Sequence, residues 1–254
     1  MSETQFLVTQ QGRRIAFHLT DGAGPAVVFL GGFKSDMGGT KAIFLEKWAR
    51  TSGRAFLRFD YSGHGESSEA FTDGTIGDWF EDASAAVGLL AGPVILVGSS
   101  MGGWISLLIA RAMPEKVAGL VTIAAAPDFT EDSMWAGFSD AQKAALLAGQ
   151  VALPSDYGEP YIITRRLIEE ARDRLVLREP LPLNFPVRFI QGTADAEVAL
   201  SVALRLFDHA ESPDMRLTLV DGADHRFSDD TCLTFIKDMI DEVTAQARKA
   251  LRAS

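Results

Sequence analysis

The chain has one cysteine, Cys232, and four histidines among 254 residues. A lone thiol has no intrachain partner, which excludes a disulfide framework and a cysteine metal cluster and leads us to expect the reducing cytoplasm. Histidines at H-x-x-x-H spacing are missing too, so no metal is expected. Basic residues are in deficit: 24 Lys and Arg against 34 Asp and Glu give a net charge of −10. Such a chain repels phosphate backbones and anionic bilayers, so neither nucleic acid nor stable membrane association is expected. No run approaches the about 18 uncharged apolar residues of a membrane span, and the opening MSETQFLVTQQGRR lacks a basic start followed by an apolar segment. Repeats, low-complexity tracts and linkers are lacking as well, which favours one domain, and a chain of this length buries a full core unaided.

Apolar segments alternate between two periods. Gln5 to Thr9 and Arg14 to Leu19 alternate like a meander, with turns at Gln11-Gly12 and at Asp21 to Pro25. Ala26 to Leu30 is apolar on both faces, as are Ala55–Phe59, Val94–Val97, Leu120–Ala125, Val187–Ile190 and Leu217–Val220, the pattern of strands covered by helices on both sides. Between them Lys41–Arg50, Ile76–Leu90, Met101–Ala112, Val198–His209 and Asp230–Ala250 carry helical spacing. The alternation predicts an α/β fold with a mostly parallel, eight-stranded sheet. From about 127 to 183 the rhythm stops: Asp140–Leu147 and Ile162–Arg174 are helical in pattern, prolines bracket the segment, and we expect a helical cap insertion in a single domain.

Gly98-Ser99-Ser100-Met101-Gly102 follows a buried strand and opens a helix. A G-x-S-x-G turn there forces strained backbone at its serine, and the helix start supplies N–H groups, so Ser100 is the candidate nucleophile and the Met101 N–H a candidate oxyanion donor. A serine needs a base. His18 lies in the second strand, His64 sits between Gly63 and Gly65 where it braces a tight loop, and His209 ends a helix; His225, just past the last strand, lies in the loop layer where open α/β sheets act. An acid between serine and histidine completes the order, and Asp195 after Val187–Ile190 is chosen over Asp221 and Asp224, the sequence neighbours of His225. Gly31-Gly32-Phe33 after the third strand offers the Phe33 N–H as the second oxyanion donor.

Nucleotide loops are excluded by spacing. Five residues rather than four separate Gly32 from Gly38, which Gly39 follows where a P-loop needs lysine, and Ser68 stands where a dinucleotide fingerprint needs its third glycine. Arg165/Glu169 and Arg166/Glu170 have i,i+4 spacing and are expected to pair on a solvated face. Trp104, Trp135, Phe138, Tyr157 and Tyr161 are core or acyl-pocket aromatics, with those of the insertion the better pocket candidates.

With serine, acid and base in this order, the chain resembles the α/β-hydrolase superfamily over essentially its whole length. More narrowly, Phe29-Leu30-Gly31-Gly32-Phe33-Lys34-Ser35-Asp36-Met37, Phe59-Asp60-Tyr61-Ser62-Gly63-His64-Gly65 and Gly98 to Trp104 look like a bacterial relative of a mitochondrial subgroup, here without a transit peptide. That resemblance implies acyl-protein thioesterase or acyl-glucuronide esterase activity on a small-molecule or acylated substrate. Hydrolysis of a carboxylic ester or thioester through an acyl-enzyme, without cofactor, is the reading carried forward. Carbon–carbon hydrolysis or perhydrolysis on the same triad, and a non-catalytic ligand-binding scaffold, are the alternatives.

Overall fold

The computed structural model describes residues 3–154 and 160–253. In chain order it runs β1 (Gln5–Val8), β2 (Arg14–Thr20), β3 (Ala23–Leu30), α1 (Thr40–Thr51), β4 (Arg54–Phe59), α2 (Ile76–Gly88), β5 (Val94–Ser99), α3 (Met101–Ala112) and β6 (Val117–Ile123). Then follow α4 (Asp140–Leu147), β7 (Gln150–Leu153), β8 (Tyr161–Thr164), α5 (Arg165–Ala171), β9 (Leu181–Pro182), β10 (Val187–Gly192), α6 (Leu200–His209), β11 (Ala210–Glu211), β12 (Met215–Val220) and α7 (Asp230–Ala253). The main sheet has eight strands in the order β1-β2-β4-β3-β5-β6-β10-β12. β1–β2 and β2–β4 are antiparallel, and the remaining neighbours are parallel.

Side chains alternate across a strand, so each apolar run feeds two cores. Leu30, Leu57, Leu96 and Leu120 pack with Trp79 of α2 and with Trp104 and Leu108 of α3. Val27, Phe56, Val97 and Val121 point the other way, onto Leu45 of α1 and Ile236 and Ile240 of α7. Every residue of β5 and β6 is buried, which is why these runs lack polar alternation. Burying each such side chain stabilises by roughly 1.5–3 kcal/mol. Because β3, β5, β6, β10 and β12 run parallel, their C-terminal ends open at one edge of the sheet, and the loops after them share one layer.

Several expectations shift. Gly24 and Pro25 fall inside β3 rather than in a turn, and the register with β4 is irregular between Ala23 and Val27. β6 begins at Val117 and ends at Ile123, earlier than expected. The insertion carries α4 and α5, but the antiparallel hairpin β7–β8 separates them. Ile162 and Ile163 belong to a strand and not to the expected helix, because a β-branched run pairs more readily than it coils, with Val151 opposite Ile163 and both buried. The helix starts only at Arg165, where the Thr164 hydroxyl accepts the Leu167 N–H.

Polar contacts fasten the insertion to the sheet layer. Arg165 pairs with Glu169 as expected, but Arg166 reaches Asp78 of α2 at 2.9 Å. Glu170 instead accepts the Gly77 N–H and pairs with Arg174, so the second expected pair, Arg166/Glu170, gives way to a different i,i+4 pair and to contacts with α2. Asp128, buried and at φ 57, accepts the N–H groups of Val176 and Leu177.

A second network sits under the β4–α2 loop. Arg13 pairs with Asp78, Glu81 and Asp82, and the fully buried Asp82 also accepts the Ser62 N–H and hydroxyl. Removing one partner of a buried pair strands the other charge. We therefore expect Arg13→Ala to cost about 3 kcal/mol in urea unfolding, and an unchanged midpoint would contradict this role.

Candidate active site

β5 ends in Gly98-Ser99 and α3 begins at Met101, which leaves Ser100 to make the whole reversal with φ 55 and ψ −118. A left-handed serine is strained by about 1–3 kcal/mol, and its surroundings hold it there. Its N–H donates to Ile123 of β6, while its carbonyl accepts from Gly103 and Ala126. Gly102 is required by closeness: a Cβ at that position would meet the Leu30 carbonyl oxygen at 2.1 Å. Met101 stands at the first helical position with its side chain fully buried in the core, so only its main chain can serve the site. Its N–H is among those a helix start leaves without intrahelical partners.

Ser100 lines a cavity of about 670 Å³ that also takes in Phe33, Tyr161, Glu197 and His225. His225 lies in the loop after β12, and its Nδ1 is 2.9 Å from Asp195 Oδ2. A carboxylate only accepts, so Nδ1 carries the proton and Nε2 is left as the acceptor. Asp195 is saturated with donors: Oδ2 also takes the Gln191 amide, and Oδ1 takes the N–H groups of Glu197 and Val198. Burial pushes this carboxyl up, but the hydrogen bonds from His225, Val198 and Glu197 and the charge of His225 outweigh it and hold the group below its ordinary value. The rival acids are engaged elsewhere. Asp224 accepts the Arg226 and Phe227 N–H groups, and Asp221 accepts the Thr193 hydroxyl.

The remaining histidines lie outside this constellation. His18 is buried in β2 beside Thr4, and His209 at the end of α6 meets the Glu179 carbonyl. His64 braces its loop, with Nδ1–H donating to Ser62 O at 3.0 Å and Nε2 accepting the Lys34 N–H at 3.2 Å. Burial above all, opposed by the bond to Ser62, lowers its pKa to about 4.

Phe33 borders the cavity and packs edge-on against Phe71, Trp79, Phe129 and Tyr161. Of the aromatics expected at a pocket, Tyr161 is there. Trp104 and Phe138 are buried in the core instead, and Trp135 is flanked by Lys143 and Arg172. Tyr157 lies outside the described residues. Phe129 and Met134 line the cavity without having been expected. Their signal was position: they follow Pro127 just past β6, in the same loop layer as the serine. Glu197, with Oε2 3.5 Å from His225 Nε2, was also missed, although it stands two residues after Asp195. Lys41, at the start of the expected helix Lys41–Arg50, donates to the Arg226 carbonyl beside His225. Burial first of all lowers its pKa to about 8.

His64 links this site to pH. The unfolded histidine binds a proton below about 6.5, whereas the folded one stays neutral down to about 4. Between those values the unfolded state holds more protons, so stability falls as pH falls, by roughly 3 kcal/mol across the interval. Urea unfolding at pH 7, 6, 5 and 4 should show that slope, and His64→Gln should flatten it. An equal slope in the variant would assign the loss to other groups.

Known proteins resemble this chain in sequence and in fold. The family described as serine aminopeptidase, S33, matches residues 23–156. The mitochondrial palmitoyl-protein thioesterase ABHD10 of Rattus norvegicus is 35% identical over 246 residues, covering 94% of this chain and 83% of the relative. Among solved structures, a putative hydrolase from Agrobacterium vitis S4 superposes with a TM-score of 0.92 at 38% identity, covering 95% of this chain and 98% of that one. Mouse α/β-hydrolase domain-containing protein 10 gives 0.87 at 34% identity, over 95% and 99%. The chain therefore belongs to the α/β-hydrolase superfamily and to the family described as serine aminopeptidase, S33, has the ABHD10 thioesterases among its relatives, and is by that membership a carboxylic ester or thioester hydrolase.

Proposed function

We propose that Ser100, His225 and Asp195 are the catalytic triad of this hydrolase and that the Phe33 and Met101 N–H groups form its oxyanion hole. The observation that carries the reading is the 2.9 Å bond between His225 and Asp195, with His225 bordering the cavity into which the Ser100 turn opens. Ser100 Oγ attacks the acyl carbonyl while His225 Nε2 takes its proton, and Asp195 holds the tautomer and steadies the imidazolium. Two N–H groups stabilise the tetrahedral oxyanion, His225 returns the proton to the leaving alcohol or thiol, and a water activated by His225 releases the acyl group.

The substrate in this reading is an acylated molecule whose acyl group lies against Phe33, Phe129, Met134 and Tyr161. Relatives named as palmitoyl-protein thioesterases support a long acyl chain and a thioester. We further propose a single α/β-hydrolase domain with residues 127–183 as its cap. Among the described residues no helix is long and apolar enough to cross a membrane, and the one cysteine is a buried free thiol, which supports a reducing compartment such as the cytoplasm.

Labelling with a fluorophosphonate should place one adduct on Ser100, found by mass spectrometry, and the adduct should vanish in Ser100→Ala. The same variant should hydrolyse acyl thioesters and p-nitrophenyl esters about 10⁴- to 10⁶-fold more slowly while its melting curve is kept. Asp195→Asn should lower turnover by about 10⁴-fold through the wrong tautomer. Wild-type turnover in Ser100→Ala would remove the proposal.

A further inference from the structure

The loop bearing Phe33 is a turn under tension. Ser35 N–H donates to Gly32 O at 3.1 Å, which makes Phe33 and Lys34 its two central residues, and Lys34 is held at φ 58. A side-chain-bearing residue in that region costs about 1–2 kcal/mol, which a rotation of the Phe33–Lys34 peptide would release. The preceding peptide, Gly32–Phe33, is planar as well, so the bond from Ser35 to Gly32 O also sets the opposite edge of that plane, where the Phe33 N–H lies. The turn is placed for the reaction: a Cβ on Gly32 would lie 3.4 Å from that of Ser100.

What opposes rotation comes from the β4–α2 loop. His64 Nε2 accepts the Lys34 N–H, and the imidazole is gripped edge-on by Tyr61, Phe71 and Trp79 at 5.2–5.6 Å. The same loop takes the Met37 N–H on Asp60 at 2.6 Å, so the oxyanion loop is tied at Lys34 and at Met37. Being neutral, the ring keeps the lone pair this bond needs at any pH above about 4.

We infer that His64 is a positioning residue for the oxyanion hole, holding the Phe33–Lys34 peptide and with it the turn whose Gly32–Phe33 peptide presents the Phe33 N–H to the carbonyl attacked by Ser100. The inference rests on the triad reading above. It assigns to the Gly63-His64-Gly65 motif a role in the transition state and not in folding alone.

Two isosteres separate the two ring nitrogens. In His64→Gln the side-chain oxygen stands where Nε2 stood and still accepts from Lys34; in His64→Asn the amide stands at Nδ1, still donates to Ser62 and falls short of Lys34. We expect His64→Asn to lose kcat by about 10²-fold with KM nearly unchanged, as for loss of one oxyanion donor. His64→Gln should keep most of the wild-type kcat. A boronic acid, whose tetrahedral adduct with serine fills the oxyanion hole, should bind the Asn variant more weakly by the same factor. His64→Leu, which fills the aromatic grip and removes both bonds, takes the place of Asn should that variant not fold, with the same loss expected.

Wild-type kcat in the Asn or Leu variant, or equal loss in the Gln variant, would overturn the inference. Wild-type turnover in Ser100→Ala would instead overturn the triad reading, so the two failures are distinguishable.

Discussion

Everything at the candidate site depends on how closely β5 and α3 approach the end of β3. Gly102 lies so near the Leu30 carbonyl that no side chain fits, and this proximity leaves a single residue, Ser100, to turn a buried strand into a buried helix. The strain at Ser100 is held by three backbone hydrogen bonds, one made by its N–H and two by its carbonyl. It is therefore secured by the centre of the sheet, the part of the fold with the most buried apolar surface. A serine mounted this way keeps its place without a side-chain brace of its own.

The loops around it are secured differently. Apolar packing decides where β3, β10 and β12 end, but their following loops are irregular and exposed, so polar groups set their geometry. Asp195 gathers four donors from residues 191–225 and orients His225 through one of them. Lys41 reaches the carbonyl after His225 from the start of α1. The β4–α2 loop ties the Phe33 loop and is tied in turn, through Ser62 and Asp82, to Arg13. A chain of buried hydrogen bonds thus runs from the β1–β2 turn toward the cavity, in surroundings where each unmade bond costs more than in water.

The insertion lines the cavity with Phe129, Met134 and Tyr161, and it is attached by the charged contacts of Arg166 to Asp78 and of Glu170 to Gly77 and by Ile163, Leu167 and Ile168, which join the core around Trp79 and Trp104. One fold hosts many activities, so substrate choice is set by the residues of the site and not by the sheet.

The sequence alone carried the sheet and its helices, and it singled out Ser100, Asp195 and His225 as candidates in that order. Both-face apolar runs such as Val94–Val97 identify buried strands, and a glycine-flanked serine between such a run and a helix admits few other geometries. Asp195 and His225 were legible because the strands before them are legible. The hairpin at β7–β8, the neighbours of Glu170, and the presence of Phe129, Met134 and Glu197 at the cavity were not. Those depend on which elements meet across the sheet, and local periodicity carries no information about partners distant in sequence. His64 shows the division most plainly. Its glycine neighbours announced a tight loop, but that its free nitrogen holds Lys34, thirty residues away, was decided by β3 and β4 lying side by side, which brings the loops at their ends within hydrogen-bonding distance.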